Sequence, residues 1–444
     1  MKKSKIYLII LLLFAGATGF IVLKFDSNEK KRSAMIYTLQ DRPGKAETPE
    51  WTLTKQTAGK LIEAIHANPH DNKSLLALAS VFLREARITG NYMYYDMAAL
   101  KYVNDVLKND SANFEALTLQ SLIFLSQHHF ADGLAIAEKA QRINQYNAFV
   151  YGILVDGNVE MGHYDAAVEN ADKMVAIRPD IRSYSRISYL REIYGDYTGA
   201  IKAMKLAVDA GAPGDETTEW CRVQEGKLYE LTGDLKTAEN LYTTALDSRP
   251  DYAYALAGLA RIAKAHKDYS NAIALYVKAD SLTVGYSCKE ELVDVYRHAG
   301  QKEKATALNE EVISSMLKDA ESGTADQSIG HYGDQELAYA YLKADNYEKA
   351  LYHALQEYNR RPDNIDVNET LAWVYYKKGD YAKALPYIKV ALKTHSKNPR
   401  LLCRAAWIFH QNSDASSAWA FLQEVLKSNP NFDISLNGEV TFNM

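Results

Sequence analysis

Residues 368–398 read NETLAWVYYKKGDYAKALPYIKVALKTHSKN, and this stretch decides the fold. Its apolar side chains follow helical spacing on both sides of a Gly-Asp-Tyr turn that begins at Gly379. Small residues stand at Ala372 before the turn and at Ala384 after it. Glycine permits a positive φ angle in the turn, and small alanines let two helices approach closely. The stretch therefore predicts a pair of antiparallel helices.

The same pattern recurs along most of the chain. Its clearest marker is the small residue early in the second helix, which returns every 33 or 34 residues apart from two longer intervals of 38 and 45. A single helix pair cannot bury its own apolar face, so a regular series of pairs predicts stacking into an array. The marker residues are Ala99, Gly133, Ala167, Ala200, Ala238, Ala272, Ala305, Ala350, Ala384 and Ala418.

These features resemble the tetratricopeptide repeat. The resemblance covers roughly residues 73–432 and is specific for fold, not for function. It implies an all-α fold, a right-handed superhelical solenoid of about ten helix-turn-helix units. It also implies a concave surface lined by the first helix of each unit.

The array and its flanks divide the chain into segments. An insert at residues 319–330 follows an unusually long second helix over 302–318; it is either a hinge between two stacks or a surface loop on one continuous superhelix. The predicted segments are an N-terminal transmembrane anchor or signal peptide (1–24), a linker of low order (25–50), a capping helix (51–72), an N-terminal stack (73–318), the insert (319–330), a C-terminal stack (331–432) and a tail (433–444).

The N-terminus carries the only long apolar run. Residues 6–23 read IYLIILLLFAGATGFIVL, and lysines stand on both sides of this run. About 18 apolar residues are near the lower limit for a membrane-spanning helix. The small residues Ala15, Gly16 and Ala17 also resemble a signal-peptide cleavage site. The sequence therefore predicts an uncleaved anchor, with a cleaved signal as the alternative; both export the rest of the chain.

Composition and motifs narrow the class of function. With 51 Lys+Arg against 56 Asp+Glu, the formal net charge of -5 gives no basic surface for nucleic acid. Metalloprotease, phosphate-loop and esterase motifs are missing from the sequence. His66 and His70 are separated by a proline at a helix end, and the adjacent His128 and His129 stand at a turn, where their side chains diverge. We therefore expect no enzymatic activity, no cofactor and no metal site.

Aromatic residues mark a candidate binding surface. In the repeat family, the ninth position of each unit lies on the first helix and faces the groove. Here that position carries Tyr189, Tyr339, Trp373 and Trp407, the last three in consecutive units. They predict either a hydrophobic floor for a partner or packing between neighbouring first helices.

Arginines accompany this surface. Some tetratricopeptide domains hold a C-terminal carboxylate with basic and Asn side chains at the second, fifth, sixth and ninth positions. Arg400 and Arg404 stand at the second and sixth positions of the last unit, one helical turn apart and on one face. The preceding units have Thr370 and Gln335 where the clamp has Asn and Lys, so we expect a looser anionic contact.

Two further arginines complete the predicted sites. Arg182 and Arg186 repeat this spacing beside Tyr189. The partner-binding prediction thus comprises Tyr339, Trp373, Arg400, Arg404 and Trp407, with a secondary set of Arg182, Arg186 and Tyr189.

These observations predict a membrane-attached scaffold that binds a protein or peptide partner in its groove. The repeat domain is expected on the periplasmic side of a bacterial inner membrane, or in the periplasm after signal cleavage. Two alternatives use the same fold: a self-associating envelope assembly factor, or a carbohydrate-binding protein that uses the aromatic groove.

Overall fold

The computed structural model describes residues 36–44, 47–325, 329–430, 432 and 434, together with positions 7, 11, 13, 14, 16–20 and 24. Within these residues the chain is helical and has no strand. The predicted all-α solenoid is confirmed, since consecutive helices pair and the pairs stack on their neighbours. After a first helix α1 (Pro49–Ala67), the pairs are unit 1 α2 (Asn72–Thr89) and α3 (Tyr92–Asn109), unit 2 α4 (Phe114–Ser126) and α5 (Phe130–Ile143), unit 3 α6 (Ala148–Met161) and α7 (Tyr164–Ile177), unit 4 α8 (Ile181–Ile193) and α9 (Tyr197–Asp209), unit 5 α10 (Glu216–Leu231) and α11 (Leu235–Ser248), unit 6 α12 (Ala253–Ala265) and α13 (Tyr269–Asp280), unit 7 α14 (Ser287–His298) and α15 (Lys302–Ala325), unit 8 α16 (Asp334–Lys343) and α17 (Tyr347–Arg360), unit 9 α18 (Ile365–Lys377) and α19 (Tyr381–Ala391), and unit 10 α20 (Pro399–Gln411) and α21 (Ala415–Ser428).

The two ends of the chain lie largely outside this description. Half of the predicted span at residues 6–23 and all of the predicted tail at 433–444 except residue 434 lie outside the described residues. Among the residues that are described, no helix is both long enough and apolar enough to cross a membrane.

The small marker residues are the closest points within the helix pairs. The nine alanines are at most 2% exposed, and Gly133 is also buried. A Cβ atom at Gly133 would lie only 2.8 Å from Leu125 Cδ2 and 3.2 Å from the backbone oxygen of Ser121. Ser121 Oγ also donates a 2.6 Å hydrogen bond to the Gly133 carbonyl. The repeating small residue is therefore where the first and second helices meet.

The Gly-Asp-Tyr turns act as helix stops and starts. Gly195 adopts a φ angle of +73° after α8, a conformation that costs glycine little. The next residue, Asp196, accepts a hydrogen bond at 2.9 Å from the backbone N–H of Gly199 and so caps α9. Asp234 and Asp268 cap α11 and α13 in the same way. The turn sequence thus fixes where one helix ends and its partner begins.

Residues 36–44, part of the segment predicted as a linker, lie against unit 1. Tyr37 is 8% exposed, and its backbone N–H donates to Tyr102 Oη at 3.2 Å. The backbone N–H of Thr38 lies 3.3 Å from Tyr94 Oη, and that hydroxyl donates to the Thr38 carbonyl at 2.8 Å. Tyrosine hydroxyls of α3 therefore satisfy this extended segment and hold it on unit 1, an interaction that composition alone did not reveal.

The long second helix of unit 7 extends beyond the predicted boundary. Helix α15 runs to Ala325, so it takes up most of the region that the sequence suggested as an insert or hinge. Residues 326–328 lie outside the described residues, and α16 begins at Asp334.

One turn of the superhelix takes about six units, and successive turns contact each other. The loops inside units 1–5, here called hairpin loops, contact loops between units about 200 residues further along the chain. We call this contact the seam. It joins residues 89–90 to 283–285, 127–129 to 330–332, 160–162 to 361–365, residue 195 to 395–397, and residues 230–233 to 429.

Hydrogen bonds and an Arg–Glu ion pair hold the seam. The backbone N–H of Val284 donates to the Thr89 carbonyl at 2.6 Å, and Tyr164 Oη accepts from the Ile365 N–H at 2.9 Å. Arg361 Nη1 lies 2.5 Å from Glu160 Oε2, with the Arg361 guanidinium 4.3 Å from the Phe130 ring centroid. Backbone groups left exposed by the loops of one superhelical turn are thus satisfied by the next turn.

Glycines in the hairpin loops meet this seam directly. A Cβ atom at Gly162 would lie 2.3 Å from the carbonyl carbon of Asp363, and one at Gly195 would lie 2.7 Å from the His395 carbonyl oxygen. Gly379 has a similar φ angle of +83° but has open space around it. Glycine in the early units therefore serves two purposes, a positive φ angle and a close approach between superhelical turns.

We predict that Gly162→Ala destabilises the protein more than Gly379→Ala. Both changes place a Cβ at a positive φ angle, which costs about 1–2 kcal/mol. Only Gly162→Ala adds a clash with the Asp363 backbone, worth roughly 1–3 kcal/mol more. Urea unfolding followed by circular dichroism measures the difference. Equal losses in the two variants would show that the seam contributes nothing to stability.

Candidate functional site

A groove runs along the concave side of units 6–10. Its volume is about 1270 Å³, and its walls are the first helices α12, α14, α16, α18 and α20 with the start of α15. Acidic and basic side chains of similar number line it, so neither sign dominates. The lining comprises Lys264, Ser287, Glu290, Glu291, Asp294, Arg297, His298, Lys302, Thr306, Asn309, Glu310, Gln335, Glu336, Tyr339, Leu342, Lys343, Ala344, Asp345, Trp373, Lys377, Arg400 and Arg404.

Four of the five predicted partner-binding residues meet in this groove. The Arg404 guanidinium lies 4.9 Å from the Trp373 ring centroid and 5.4 Å from that of Tyr339. Arg404 Nη1 also donates to Tyr339 Oη at 2.9 Å. The aromatic and basic residues predicted from separate units therefore form one continuous wall.

Arg404 is buried and paired with a carboxylate of the protein itself. It is 8% exposed, and its Nη1 lies 2.7 Å from the carboxylate of Glu369, which is 6% exposed. A buried pair of this kind contributes mainly by avoiding an uncompensated charge. Arg404 thus orients Tyr339 and Trp373, and its charge is already neutralised by Glu369.

Arg400 remains available to a ligand. Its side chain is 54% exposed, and its Nε lies 3.7 Å from Glu369, a looser contact than that of Arg404. The helical spacing that the sequence predicted places both arginines on one face, but burial separates their roles.

Trp407 lies beneath the groove. It is 1% exposed and packs with Leu402, Ile388 and Ala384 in the core of units 9 and 10. Its ring centroid is 5.7 Å from that of Trp373. Trp407 therefore supports the Trp373 ring from behind, which corresponds to the packing alternative that the sequence left open.

The secondary set lies on α8 of unit 4, away from this groove, and its arginines contact unit 3. Arg186 binds both carboxylate oxygens of Asp156, at 2.9 and 2.6 Å. The Arg182 guanidinium lies 5.1 Å from the Phe149 ring centroid. Tyr189 is 39% exposed, and desolvation in the concave interior, with the nearby carboxylates of Glu160 and Asp366, raises the pKa of its hydroxyl. Of these three residues, Arg182 and Tyr189 are exposed, whereas Arg186 is partly buried.

Two neighbouring carboxylates differ in charge state. Burial in the groove raises the pKa of Glu290 to about 7, although the Lys343 ammonium opposes this. Burial also disfavours the charged form of Glu291, but Lys264, Lys343 and Arg261 outweigh it and hold its pKa at about 2. Near neutral pH the carboxyl group of Glu291 is therefore ionised, and that of Glu290 is partly protonated.

These acidic residues were missed in the sequence. The repeat numbering that singled out Trp373 and Arg404 places Glu290, Glu291 and Asp294 at the fifth, sixth and ninth positions of unit 7. Their repeat positions therefore already place them on the groove side of the first helix, as they do for the aromatic and basic residues.

One group of side chains in the described residues could share a metal ion. His128, His331 and Glu336 each offer a ligand atom, and these atoms lie within 4.8 Å of one another. The sequence prediction of no metal site weighed His128 only beside its neighbour His129, because nothing in the local pattern brings His331 to them.

Residues 223–281 and 369–431 match the tetratricopeptide repeat family model, which confirms such repeats in units 5–6 and 9–10. Comparison with curated protein sequences finds no match. Similar solved structures include a tetratricopeptide repeat protein from Parabacteroides merdae, at 14% identity, covering 62% of this chain and 98% of that one with a TM-score of 0.42. Another is TTC0263, a thermophilic TPR protein in Thermus thermophilus, at 18% identity, 44% and 97% coverage and a TM-score of 0.38. A third is YrrB, described as a TPR protein with an unusual peptide-binding site, at 18% identity, 45% and 97% coverage and a TM-score of 0.28.

We predict that Arg404→Ala lowers stability by about 3–5 kcal/mol, because it leaves the buried Glu369 carboxylate with only the looser contact to Arg400. The matched change Arg400→Ala, on the same helix face but exposed, is expected to cost less than about 0.5 kcal/mol. Denaturant unfolding of both variants measures this contrast. A loss below about 1 kcal/mol for Arg404→Ala would contradict the structural role and return Arg404 to the list of candidate ligand contacts.

Proposed function

We propose that this protein is a membrane-attached scaffold that binds a partner protein or peptide in the groove of units 6–10. The observation that carries the proposal is the groove itself, a space of about 1270 Å³ enclosed by five consecutive first helices. Pockets of a few hundred to about 1,000 Å³ hold drug-sized ligands, so this one is large enough for a short peptide segment.

The charges of the groove suggest the chemistry of its occupant. Arg400 is exposed at one end, whereas Glu290 and Asp294 stand on α14 in the same groove. Lys343 Nζ lies 3.0 Å from Asp294, so part of the acidic wall is already paired. An extended segment that places a carboxylate beside Arg400 and polar groups along α14 fits this arrangement. A uniformly apolar helix does not, because it would bury these charges without partners.

The carbohydrate alternative has less support than the peptide proposal. A sugar needs an open aromatic face, but Trp407 is 1% exposed and the Trp373 ring is covered by the Arg404 guanidinium on one side. Tyr376 stacks on Trp373 at 4.8 Å between ring centroids. The predicted aromatic stripe is therefore mostly engaged within the protein.

Membrane attachment rests on the sequence of residues 6–23, and we propose that this run anchors the chain with the repeat array exported. Protein purified from the membrane fraction of native cells is expected to begin before Ile6 and to resist extraction by alkaline carbonate. A mature chain that begins at Thr18 would reject the anchor and support the cleaved signal.

The groove is tested by photo-cross-linking in native membranes, with a photoreactive phenylalanine analogue in place of Lys377 in the full chain. We expect a discrete adduct with a second protein. Adding Arg400→Glu should lower its yield at least about tenfold, because a charged hydrogen bond contributes about 1.5–3 kcal/mol.

Lys427→Glu is the matched control, since Lys427 is an exposed base on the second helix of the same unit. It should leave the adduct unchanged. Adducts of the chain with itself alone would favour the self-association alternative, and a yield that ignores Arg400→Glu would reject the groove as the binding surface.

A further inference from the structure

We propose that His128, His331 and Glu336 form a binding site for a divalent transition-metal ion such as Zn²⁺. The site lies on the seam, where the hairpin loop of unit 2 meets the loop that leads into unit 8. Two imidazoles and a carboxylate are ligands that Zn²⁺ accepts readily, and they leave a fourth tetrahedral position for water.

The three side chains lie close enough to share one ion. The His128 and His331 ring centroids are 4.2 Å apart, and Glu336 Oε1 reaches the edge of the His128 ring, 3.7 Å from the Nδ1 that faces Tyr332. With Zn²⁺ bound at about 2.0–2.2 Å from each atom, tetrahedral ligands lie roughly 3.4 Å apart. Ligand atoms that already fall within 4.8 Å of one another need only small side-chain rotations to reach this spacing.

An unsatisfied atom points to a missing partner at this place. Glu336 Oε2 is buried and has no hydrogen-bond partner. A buried carboxylate oxygen without a partner costs free energy that a bound cation would recover. This observation is independent of the clustering of the two histidines.

The surrounding contacts hold the ligands in place from both sides of the seam. His128 Nδ1 lies 3.2 Å from the Tyr332 carbonyl oxygen, so a proton on Nδ1 makes that bond and leaves the Nε2 lone pair free. His129 Nε2 lies 2.6 Å from the Gly330 carbonyl, and the His129 ring stacks on Tyr332 at 3.8 Å. A hydrogen bond from the second ring nitrogen to a backbone carbonyl, as at His128, is typical of metal-binding histidines.

The unit 2 loop is also fixed from behind. Asp96 Oδ2 accepts hydrogen bonds from Ser126 Oγ at 2.6 Å and from Gln127 Nε2 at 2.5 Å. These two residues immediately precede His128, which has a φ angle of +62°. The side chain of His128 is therefore presented to unit 8 by a loop with little freedom.

Two neighbouring arginines would repel a cation if they were unpaired. Arg361 instead contacts Glu357 and Glu160, at 2.5 Å each. Arg360 contacts Glu357 at 2.5 Å and also pairs with Asp334. Their positive charge is therefore locally balanced, and the carboxylate of Glu336 remains for the ion.

A metal at this place would join two superhelical turns by coordinate bonds. His128 belongs to unit 2, whereas His331 and Glu336 belong to the start of unit 8. The ion would then stabilise the closed seam without contacting the centre of the groove near Arg400.

The test uses the full chain freed of metal with EDTA. Zinc chloride is titrated in competition with a chromophoric chelator, and we expect one Zn²⁺ per chain. His331→Ala and Glu336→Gln should each weaken binding at least about 100-fold, which is more than the loss of a hydrogen bond to a metal ligand costs. The matched control is His163→Ala, an exposed histidine in the equivalent loop of unit 3, which should bind as the wild type does.

Co²⁺ provides a readout that does not depend on variants. The wild-type chain with Co²⁺ should show the visible absorption of tetrahedral nitrogen and oxygen ligation, and Zn²⁺ should abolish it and raise the midpoint of thermal unfolding. A wild-type chain that neither competes with the chelator nor gives this absorption overturns the proposal. Binding that His331→Ala and Glu336→Gln leave unchanged also overturns it, because the ion would then lie elsewhere.

Discussion

The close contact at one small residue in each helix pair is the constraint on which this structure depends. Alanine at nine of these positions and glycine at the tenth bring the two helices of a unit together, and the same spacing then repeats along the array. A larger residue at one position would separate one pair, and its effect on superhelical pitch would be carried to every later unit. The seam needs that pitch to be constant, because Gly162 and Asp363 belong to units that are far apart in the chain.

The seam adds contacts between distant units to an array that would otherwise have contacts between neighbouring units only. Unfolding of the array should therefore be more cooperative. Solenoid stability is normally a sum of unit and interface contributions. Here Arg361 of unit 8 contacts Glu160 of unit 3, and Asn429 after unit 10 donates to the Glu230 carbonyl of unit 5. Loss of one early unit therefore removes support from a late one. The groove of units 6–10 is shaped partly by helices outside it.

Local features of this fold could be predicted from the sequence, since the signals are short-range. The small-residue register, the Gly195-Asp196 turn and the shared face of Arg400 and Arg404 each follow from spacing within one unit. The contact between His128 and His331 could not, because it depends on superhelical pitch accumulated over six units. The burial of individual side chains could not be predicted either. Arg400 is exposed, whereas Arg404 and Trp407 are buried.

The seam has a mechanical consequence as well. A coil whose successive turns touch can be stretched but has little room to be compressed, since not even a Cβ atom would fit between Gly162 and the Asp363 backbone. A pulling force along the superhelix axis would first break the loop-to-loop hydrogen bonds and leave each helix pair intact. The superhelix would therefore resist compression through direct contact between its turns. It would resist extension first through the loop-to-loop hydrogen bonds of the seam.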